Sequence, residues 1–379
     1  VRALHVITGL GVGGAEQQLR LLLRRLPARC DVVTLTNPGP VAEGLRADGV
    51  RVTDLGMRGN RDLAALPRLT GLIRAGRYDL VHTHLYRACL YGRAAARLAG
   101  VRAVVATEHS LGDARIEGRR LTPGVRALYL AGERLGRATV AVSPTVAERL
   151  RRWGVPAQRV RTIPNGIDAA LFRYDPALRE RARAHYGIPP DAYVVGGLGR
   201  LTAGKRFGVL VRALGELPRD VRLLLVGGGD EERALRRTAR DLGVADRVVL
   251  TGERPYLPDP ADPAPGLPGL LSAMDVLAAP SAEEAFGLAV LEALAAGLPV
   301  LYTTCPAVDD LPPGSAPGAR RVPGGAGAYA RELLRLRGAG PGDRSIPPAV
   351  RHYAVDRTAR QLMDVYTAVL AGSTLEVRP

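Results

Sequence analysis

The sequence predicts two doubly wound α/β domains, each a parallel sheet flanked by helices. Three observations carry this expectation. A chain of 379 residues is more than twice a typical domain of about 150 residues. Short β-rich runs alternate with amphipathic helical runs from end to end. Both halves also open alike, with a strand, a glycine-bearing loop and a helix.

In order, residues 3–10 read as a strand, Gly11-Val12-Gly13-Gly14 as a turn, and residues 15–26 as a helix with Leu19, Leu22, Leu23 and Leu26 on one face. Further strands are expected at 30–36, 77–84, 102–109 and 138–143. The Pro/Gly-bearing run Ile163-Pro164-Asn165-Gly166-Ile167-Asp168 ends this series and sets the join, so the first domain covers 1–168. The second, 169–354, opens with a strand at 192–200, a loop at 201–206 and a helix at 207–214. Its other strands are expected at 221–228, 247–252, 275–280 and 298–304. Within residues 355–379, a helical run from Asp356 to Leu370 is expected to cross back to the first domain. Ligands of such sheets sit beyond the carboxyl ends of the strands, so the expected site is a cleft between the halves.

At 46% hydrophobic and 24% charged residues the composition is globular, which excludes disorder and fibre. The most apolar stretch, Ala293 to Val308, is broken by Gly297, Pro299 and Pro306 and falls short of the roughly 20 apolar residues that span a bilayer. The opening residues lack an export signal, and Cys30, Cys89 and Cys305 are too dispersed for a disulfide framework or a zinc site. The expected location is therefore the cytoplasm. Residues 1–172 hold 27 arginines against 13 acidic residues, a net +14 of the chain's +16. Two readings of this basic half stay open. Arginine can simply replace lysine on a solvated surface, or the first domain meets an anionic partner, either a phosphorylated acceptor or the inner face of a membrane, to which it would bind peripherally. With 4% aromatics and no recognised binding motif, nucleic acid is not an expected partner.

A sharper clue is that 52 of the 53 basic residues are arginine and one is lysine, Lys205. An ammonium is a compact point charge that can approach a phosphate oxygen where a planar guanidinium does not fit. Gly11 to Gly14 and Gly227-Gly228-Gly229 each stand between a strand and a helix, where free amides can receive an anion. The richest run is Ser281 to Val300. A helix starting near Gly287 would present the amides of Phe286, Gly287 and Leu288, with Glu284 just before them and Glu292 inside the helix. Eight residues at ~1.5 Å rise span ~12 Å, beyond the ~5 to 9.5 Å between the carboxyls of a glycosidase. Two carboxylates about an amide-rich phosphate site better suit gripping sugar hydroxyls on either side of a diphosphate. His82 and His84 share a strand face and are expected to line the cleft or the core; with no third ligand they do not suggest a metal. Cys305 reads as a small buried thiol.

Taken in order, these motifs resemble the family 4 retaining glycosyltransferases. The residues that carry the resemblance are Gly13-Gly14-Ala15-Glu16, Asp79-Leu80-Val81-His82, His109, the 163–168 run, Gly199-Arg200 with Lys205, the turn at Gly227, Thr251-Gly252, and Glu284 to Glu292 with its continuation to Val300. The resemblance implies the GT-B fold of two Rossmann-like domains, with a nucleotide-sugar donor on the second and the acceptor on the first. It implies that Arg200 and Lys205 neutralise the donor diphosphate, that Glu284 and the backbone of Phe286, Gly287 and Leu288 contact sugar and phosphates, and that Glu292 holds the ribose. Gly13 and Gly14 would approach the phosphate, Gly227 and Arg254 would complete the donor site, and His109 would lie near the transferred sugar. Glu16, His84 and Asn165 are expected on the acceptor side.

No cofactor is implied and no metal is needed, since the cations neutralise the leaving group and no D-x-D motif occurs. A UDP-sugar is the expected donor. The acceptor is expected to be lipid-linked or polysaccharide, as in envelope assembly, with Arg115, Arg119, Arg120 and Arg126 near the cleft rim or membrane face; a small aminocyclitol-type acceptor is the alternative. A nucleotide-sugar epimerase and a non-catalytic nucleotide-binding relative are the competing readings. Three departures stand out: Arg206 where many relatives have glycine, the Pro-rich loop Arg254 to Pro268, and Thr303 to Asp310 in place of a Gly-Gly turn leading to a glutamate.

Overall fold

The computed structural model describes residues 1–59, 62–112, 115–117, 119–256, 263–340 and 342–372. The chain forms two compact units, Val1–Gly166 together with Val355 onward, and Ile167–Ala354.

Unit 1 begins with β1 (Arg2–Ile7), α1 (Gly14–Leu23), β2 (Arg29–Thr34), α2 (Gly39–Ala47), β3 (Arg51–Asp54) and α3 (Ala65–Gly76). It continues with β4 (Leu80–His84), α4 (Tyr86–Leu98), β5 (Val104–Glu108), the hairpin β6 (Arg115–Ile116) and β7 (Arg119–Arg120), α5 (Pro123–Glu133), β8 (Ala138–Ala141), α6 (Pro144–Trp153) and β9 (Val160–Thr162). Its seven-stranded sheet runs β3-β2-β1-β4-β5-β8-β9, all parallel. Its central strands β4 and β5 are buried along their whole length because both faces are covered, and they carry His82, Thr83, His84, Thr107 and Glu108 among valine, leucine and alanine. Leu19, Leu22, Leu23 and Leu26 are buried together on the inner face of α1 and just beyond it.

Unit 2 holds α7 (Pro176–His185), β10 (Tyr193–Leu198), α8 (Gly208–Leu214), β11 (Val221–Val226), α9 (Glu232–Asp241), β12 (Val248–Leu250), α10 (Leu267–Ala273) and β13 (Val276–Ala279). After these come α11 (Leu288–Ala295), β14 (Val300–Tyr302), α12 (Pro306–Asp309), β15 (Ala319–Arg321), α13 (Ala326–Gly338) and α14 (Pro348–His352). The six strands are ordered β12-β11-β10-β13-β14-β15. In both sheets the order reverses beside the first strand of the unit, which puts a switch point at the carboxyl ends of β1 and β10.

The last helix, α15 (Val355–Leu370), packs in unit 1: Val355, Ala359, Leu362, Val365, Tyr366 and Val369 join the core formed by α1 and the sheet. Thr358 donates to the Pro164 carbonyl at 3.1 Å, which anchors its first turn. Strands β3, β9 and β15 escape the sequence reading because Arg51–Asp54, Val160–Thr162 and Ala319–Arg321 are short, half-polar and at or near sheet edges, where no continuous apolar run is required. No helix among the described residues is long and apolar enough to cross a membrane.

Candidate active site

In unit 2 the site is built from strand ends that lock into one another. The Gly199 amide donates to Val226 O at 3.0 Å, Leu201 to Gly228 O at 2.8 Å, Gly227 to Gly252 O at 3.0 Å and Glu231 to Leu201 O at 3.0 Å. Gly227 sits at φ 137°, and a Cβ there would overlap the Gly199 carbonyl oxygen. On this floor, residues Ala203–Lys205 make a single 3-10 turn whose last residue projects the Lys205 ammonium onto the Glu284 carboxylate. The Ala282 amide donates to Gly204 O at 3.2 Å and ties the 281–287 loop to the same turn. Arg200 is exposed and, among the described residues, is ion-paired to none. Arg206 follows in the left-handed region at φ 55°, which explains why glycine suits this position; its guanidinium is held by Gly324 O at 2.7 Å.

Gly287 caps α11 at φ 103°, with Cys305 Sγ where its Cβ would lie. The departing run Thr303 to Asp310 thus has a structural role: Cys305 packs beneath Gly287, the Ala307 amide donates to Phe286 O at 2.8 Å, and Asp309 accepts from Cys305 N at 3.1 Å. Cys305 is a buried thiol whose pKa burial pushes far up. Phe286 turns its ring into the core against Tyr353, with centroids 5.1 Å apart, so only its backbone faces the loop, while Leu288 opens the helix. Because α11 begins at Leu288, Glu284 lies outside it in the loop and Glu292 inside it. Glu292 is 4% exposed, and burial pushes its carboxyl up to about 7 against the opposing pull of Tyr256 and Lys205. The Tyr256 hydroxyl donates to Glu292 Oε1. Tyr256 was missed from sequence; it stands in the Pro-rich loop beside Arg254, whose Nε donates to Glu253 O at 3.0 Å. Residues 257–262 of that loop lie outside the described residues.

In unit 1, Gly13 is the N-cap of α1 and Gly14 its exposed first residue. The Glu16 carboxylate lies against Gly13, where any Cβ would overlap it. Gln18, also missed from sequence, grips Gly166 at both backbone groups, at 2.6 and 2.9 Å. Asn165, expected on the acceptor side, is 8% exposed and immediately precedes the clamped Gly166. Arg120 is exposed, Arg126 donates to Trp153 O at 2.8 Å, and the side chains of Arg115 and Arg119 lie outside the described set.

The reading of His84 as a core group holds, and the expectation that it is open to an acceptor is corrected. It is 1% exposed and both its ring nitrogens are engaged, Nε2 with His5 Nδ1 at 3.0 Å and Nδ1 with His109 Nε2 at 3.1 Å. The parallel register sets His5 beside His82, and His82 joins Tyr366 at 2.6 Å and Thr107 at 2.7 Å. His109 is the one imidazole of the four that is only half-buried. Burial lowers His5 to about 3 and His109 to about 4; His82 and His84 are lowered well below the usual range, by burial first and then by their neighbours. All four rings are neutral at pH 7. Burial pushes Glu108 the other way, up to about 8.

These shifts predict a stability optimum. Unfolded imidazoles titrate near 6.5, so the contribution of the four neutral rings is complete above that pH and is lost as pH falls toward 4. For Glu108 and Glu292, whose folded pKa values are raised, the contribution is complete below about 4.5 and is lost as pH rises through 7 to 8. The thermal midpoint is expected to peak near pH 6.5 and to fall on the acid side, where four imidazoles outweigh two carboxyls. A midpoint that stays level from pH 6.5 to 4.5 would contradict neutral buried rings.

Residues 12–171 match the family model described as Glycosyltransferase Family 4, and residues 192–337 match that described as Glycosyl transferases group 1. A D-inositol 3-phosphate glycosyltransferase of Acidothermus cellulolyticus is 34% identical over 261 residues, covering 63% of this chain and 55% of its own length. The chain thus spans little more than half of that relative. The protein of the same description from Mycobacteroides abscessus is 30% identical over 331 residues, covering 83% of this chain and 72% of its own. Among solved structures, Anabaena HepE in complex with UDP-glucose superposes with TM-score 0.80 at 21% identity, over 97% of this chain and 99% of that one. WaaG, described as a glycosyltransferase involved in lipopolysaccharide biosynthesis, superposes with TM-score 0.68 at 18% identity, over 97% and 100% of the two chains. The chain belongs to the family 4 glycosyltransferases, two-domain proteins of the GT-B fold.

Proposed function

We propose that the protein is a retaining glycosyltransferase that moves a sugar from a UDP-sugar to a hydroxyl of a phosphate-bearing polyol, with no metal required for the chemistry. The observation that carries this reading is the Lys205–Glu284 pair on the interlocked floor of unit 2, with the exposed Arg200 on the preceding strand end and the start of α11 after the same loop. Breaking the anomeric C–O bond leaves negative charge on the diphosphate, and fixed cations with oriented amides stabilise that charge most in the transition state. Lys205 and Arg200 supply the charge, Leu288 and its neighbours the amides, and Glu284 a carboxylate for sugar hydroxyls. Glu292, steadied by Tyr256, takes the ribose.

The acceptor oxygen bonds to the anomeric carbon on the face that the diphosphate leaves, so configuration is retained, and the departing phosphate oxygen takes the acceptor's proton. Family membership supports sugar transfer, and the solved complexes of HepE with UDP and with UDP-glucose support UDP as the nucleotide. A phosphate-bearing polyol is supported by the description of the relatives as D-inositol 3-phosphate glycosyltransferases and by the net +14 on residues 1–172.

Calorimetric titration with UDP, GDP and ADP, with and without EDTA, tests the donor side. Binding of UDP in preference to the others, unaffected by EDTA, is the expected result. Binding of none of them would favour a non-catalytic relative, and binding abolished by EDTA would overturn metal independence. Offering labelled donor with inositol phosphate, a lipid-linked sugar or a polysaccharide then tests the acceptor class.

A further inference from the structure

We propose that unit 1 carries an anion site at the amino ends of its sheet, built by Arg74, Arg77, Arg102 and Arg137, which takes a group bearing two or more phosphates. The site is independent of the proposed donor and acceptor roles.

A cavity of about 500 Å³ opens there, within the range of ~300 to 1,000 Å³ that holds small ligands. Its place follows from three neighbouring strands: Asp79 immediately precedes β4, Ala103 precedes β5 and Arg137 precedes β8. The end of α15, at Val369 and Leu370, adds a wall. Strands of four or five residues at ~3.3 Å each set this cavity roughly 15 Å from the carboxyl ends, where ligands of such sheets usually sit.

Four guanidiniums line the cavity against one carboxylate. Helix ends explain one of them. Arg74, in the last turn of α3, donates to the carbonyl of Leu98, the last residue of α4, at 2.6 Å, and so satisfies a group that the helix leaves open. Arg77, Arg102 and Arg137 do nothing comparable: they are exposed, and their side chains have no hydrogen-bond or ion-pair partner among the described residues. Asp79 does not neutralise them, and its Oδ2 accepts from the Arg2 amide at 2.7 Å. Like charges gathered in one concavity repel one another, and a bound anion removes that repulsion.

Arg77 supplies a second, independent observation. It is the C-cap of α3 at φ 50° and ψ 50°, the left-handed conformation in which glycine or asparagine is usual. A long side chain is strained there, and no bond of its guanidinium within the described residues offsets the strain.

The ligand class follows from the lining. A guanidinium presents its donors as a planar fork that takes phosphate oxygens two at a time, and three unengaged forks call for more oxygens than one phosphate offers. A nucleobase finds no platform: Tyr78, the one ring in the lining, is 8% exposed, its hydroxyl donates to Asp31 at 2.8 Å, and Arg2 lies over its ring at 4.9 Å. A small diphosphate or bisphosphate, free or as a lipid headgroup, fits these constraints.

Calorimetric titration of the full chain with inorganic pyrophosphate at about 0.15 M salt, with and without saturating UDP, tests the proposal. One pyrophosphate is expected to bind alongside UDP. Arg102→Gln and Arg137→Gln each remove one charged donor and are expected to weaken it at least about tenfold while UDP affinity stays unchanged. Arg77→Gly separates ligand from fold: its thermal midpoint is expected to hold or rise, because glycine adopts the left-handed conformation freely, while pyrophosphate binding falls. Co-sedimentation with vesicles of phosphatidic acid in phosphatidylcholine then distinguishes the sources. Vesicle binding lost in the same variants assigns a lipid headgroup; vesicle binding that is absent, or indifferent to them, assigns a free anion.

No pyrophosphate binding to the wild type at this salt overturns the proposal. Binding that UDP abolishes, or that all three variants retain at full strength, overturns it as well, because the anion then sits elsewhere. A chain that binds no UDP, yet loses pyrophosphate in these variants, would refute the proposed function and leave this site standing.

Discussion

Lys205→Ala is expected to lower sugar transfer by at least about a hundredfold while leaving the thermal midpoint almost unchanged. The Lys205 and Glu284 side chains are 28% and 17% exposed, so their ion pair contributes about 1 kcal/mol or less to folding. On the proposed reading the same ammonium faces a departing diphosphate where charge develops, and removing one such group costs about 10² to 10³ in rate. Function and stability should therefore separate at this position. Lys205→Arg sharpens the test: arginine stands at 52 of the chain's 53 basic positions, and on the proposed reading the one lysine stands where a compact charge fits between the Glu284 carboxylate and a phosphate. The arginine variant is expected to recover less than about a tenth of the wild-type rate, because its charge is preserved and its shape is wrong. Glu284→Ala should fail with Lys205→Ala. Release of UDP from whichever of UDP-glucose and UDP-N-acetylglucosamine the wild type turns over provides the measurement; wild-type rates in both alanine variants would remove this site from the chemistry.

The second large effect is on stability. Gly227→Ala is expected to destabilise unit 2 by about 3 kcal/mol or more, since φ 137° alone costs an alanine about 1 to 3 kcal/mol and its Cβ would overlap the Gly199 carbonyl. Neither partner can yield. Gly227 N is tied to Gly252 O and Gly199 N to Val226 O, each at 3.0 Å, so moving one strand end disturbs the next. Gly342→Ala is the control: it is exposed, its φ lies outside the left-handed region and nothing lies within 4 Å of the added carbon, so a change within about 0.5 kcal/mol is expected. Urea titration of both variants decides the matter, and equal midpoints would mean that the strand-end lock is loose.

The groups that the structure brings together in unit 2 stood out in the sequence because their pattern is local. Lys205 stands out against a background of arginine, and Glu284 to Glu292 sits around one loop and one helix start. The short β-rich runs also identified most strands, since a sheet covered on both faces needs continuous apolar segments. Arg206 was recognised as a departure, and its φ of 55° supplies the reason. Cys305 was rightly read as a buried thiol, although its packing beneath Gly287 could be seen only once the 303–310 run was folded.

His84 shows where the sequence stops. Its place on a strand left cleft and core both open, since burial depends on what is laid over it, and residues far away in the chain provide that cover. His5, His82, His84, His109 and Tyr366 are separated by as many as 361 positions, and they meet only because β1, β4 and β5 are adjacent and α15 packs back on their sheet. Alternation along a strand told which histidines share a face; it could not tell which nitrogen would lie 2.6 Å and which 3.5 Å from a phenol oxygen. The sequence by itself determined the two-unit α/β architecture and singled out Lys205 and Glu284, which the fold brings together, because those depend on local pattern. The tertiary structure alone decided which imidazoles are buried and which of their nitrogens meet, because those contacts depend on strand register and helix packing.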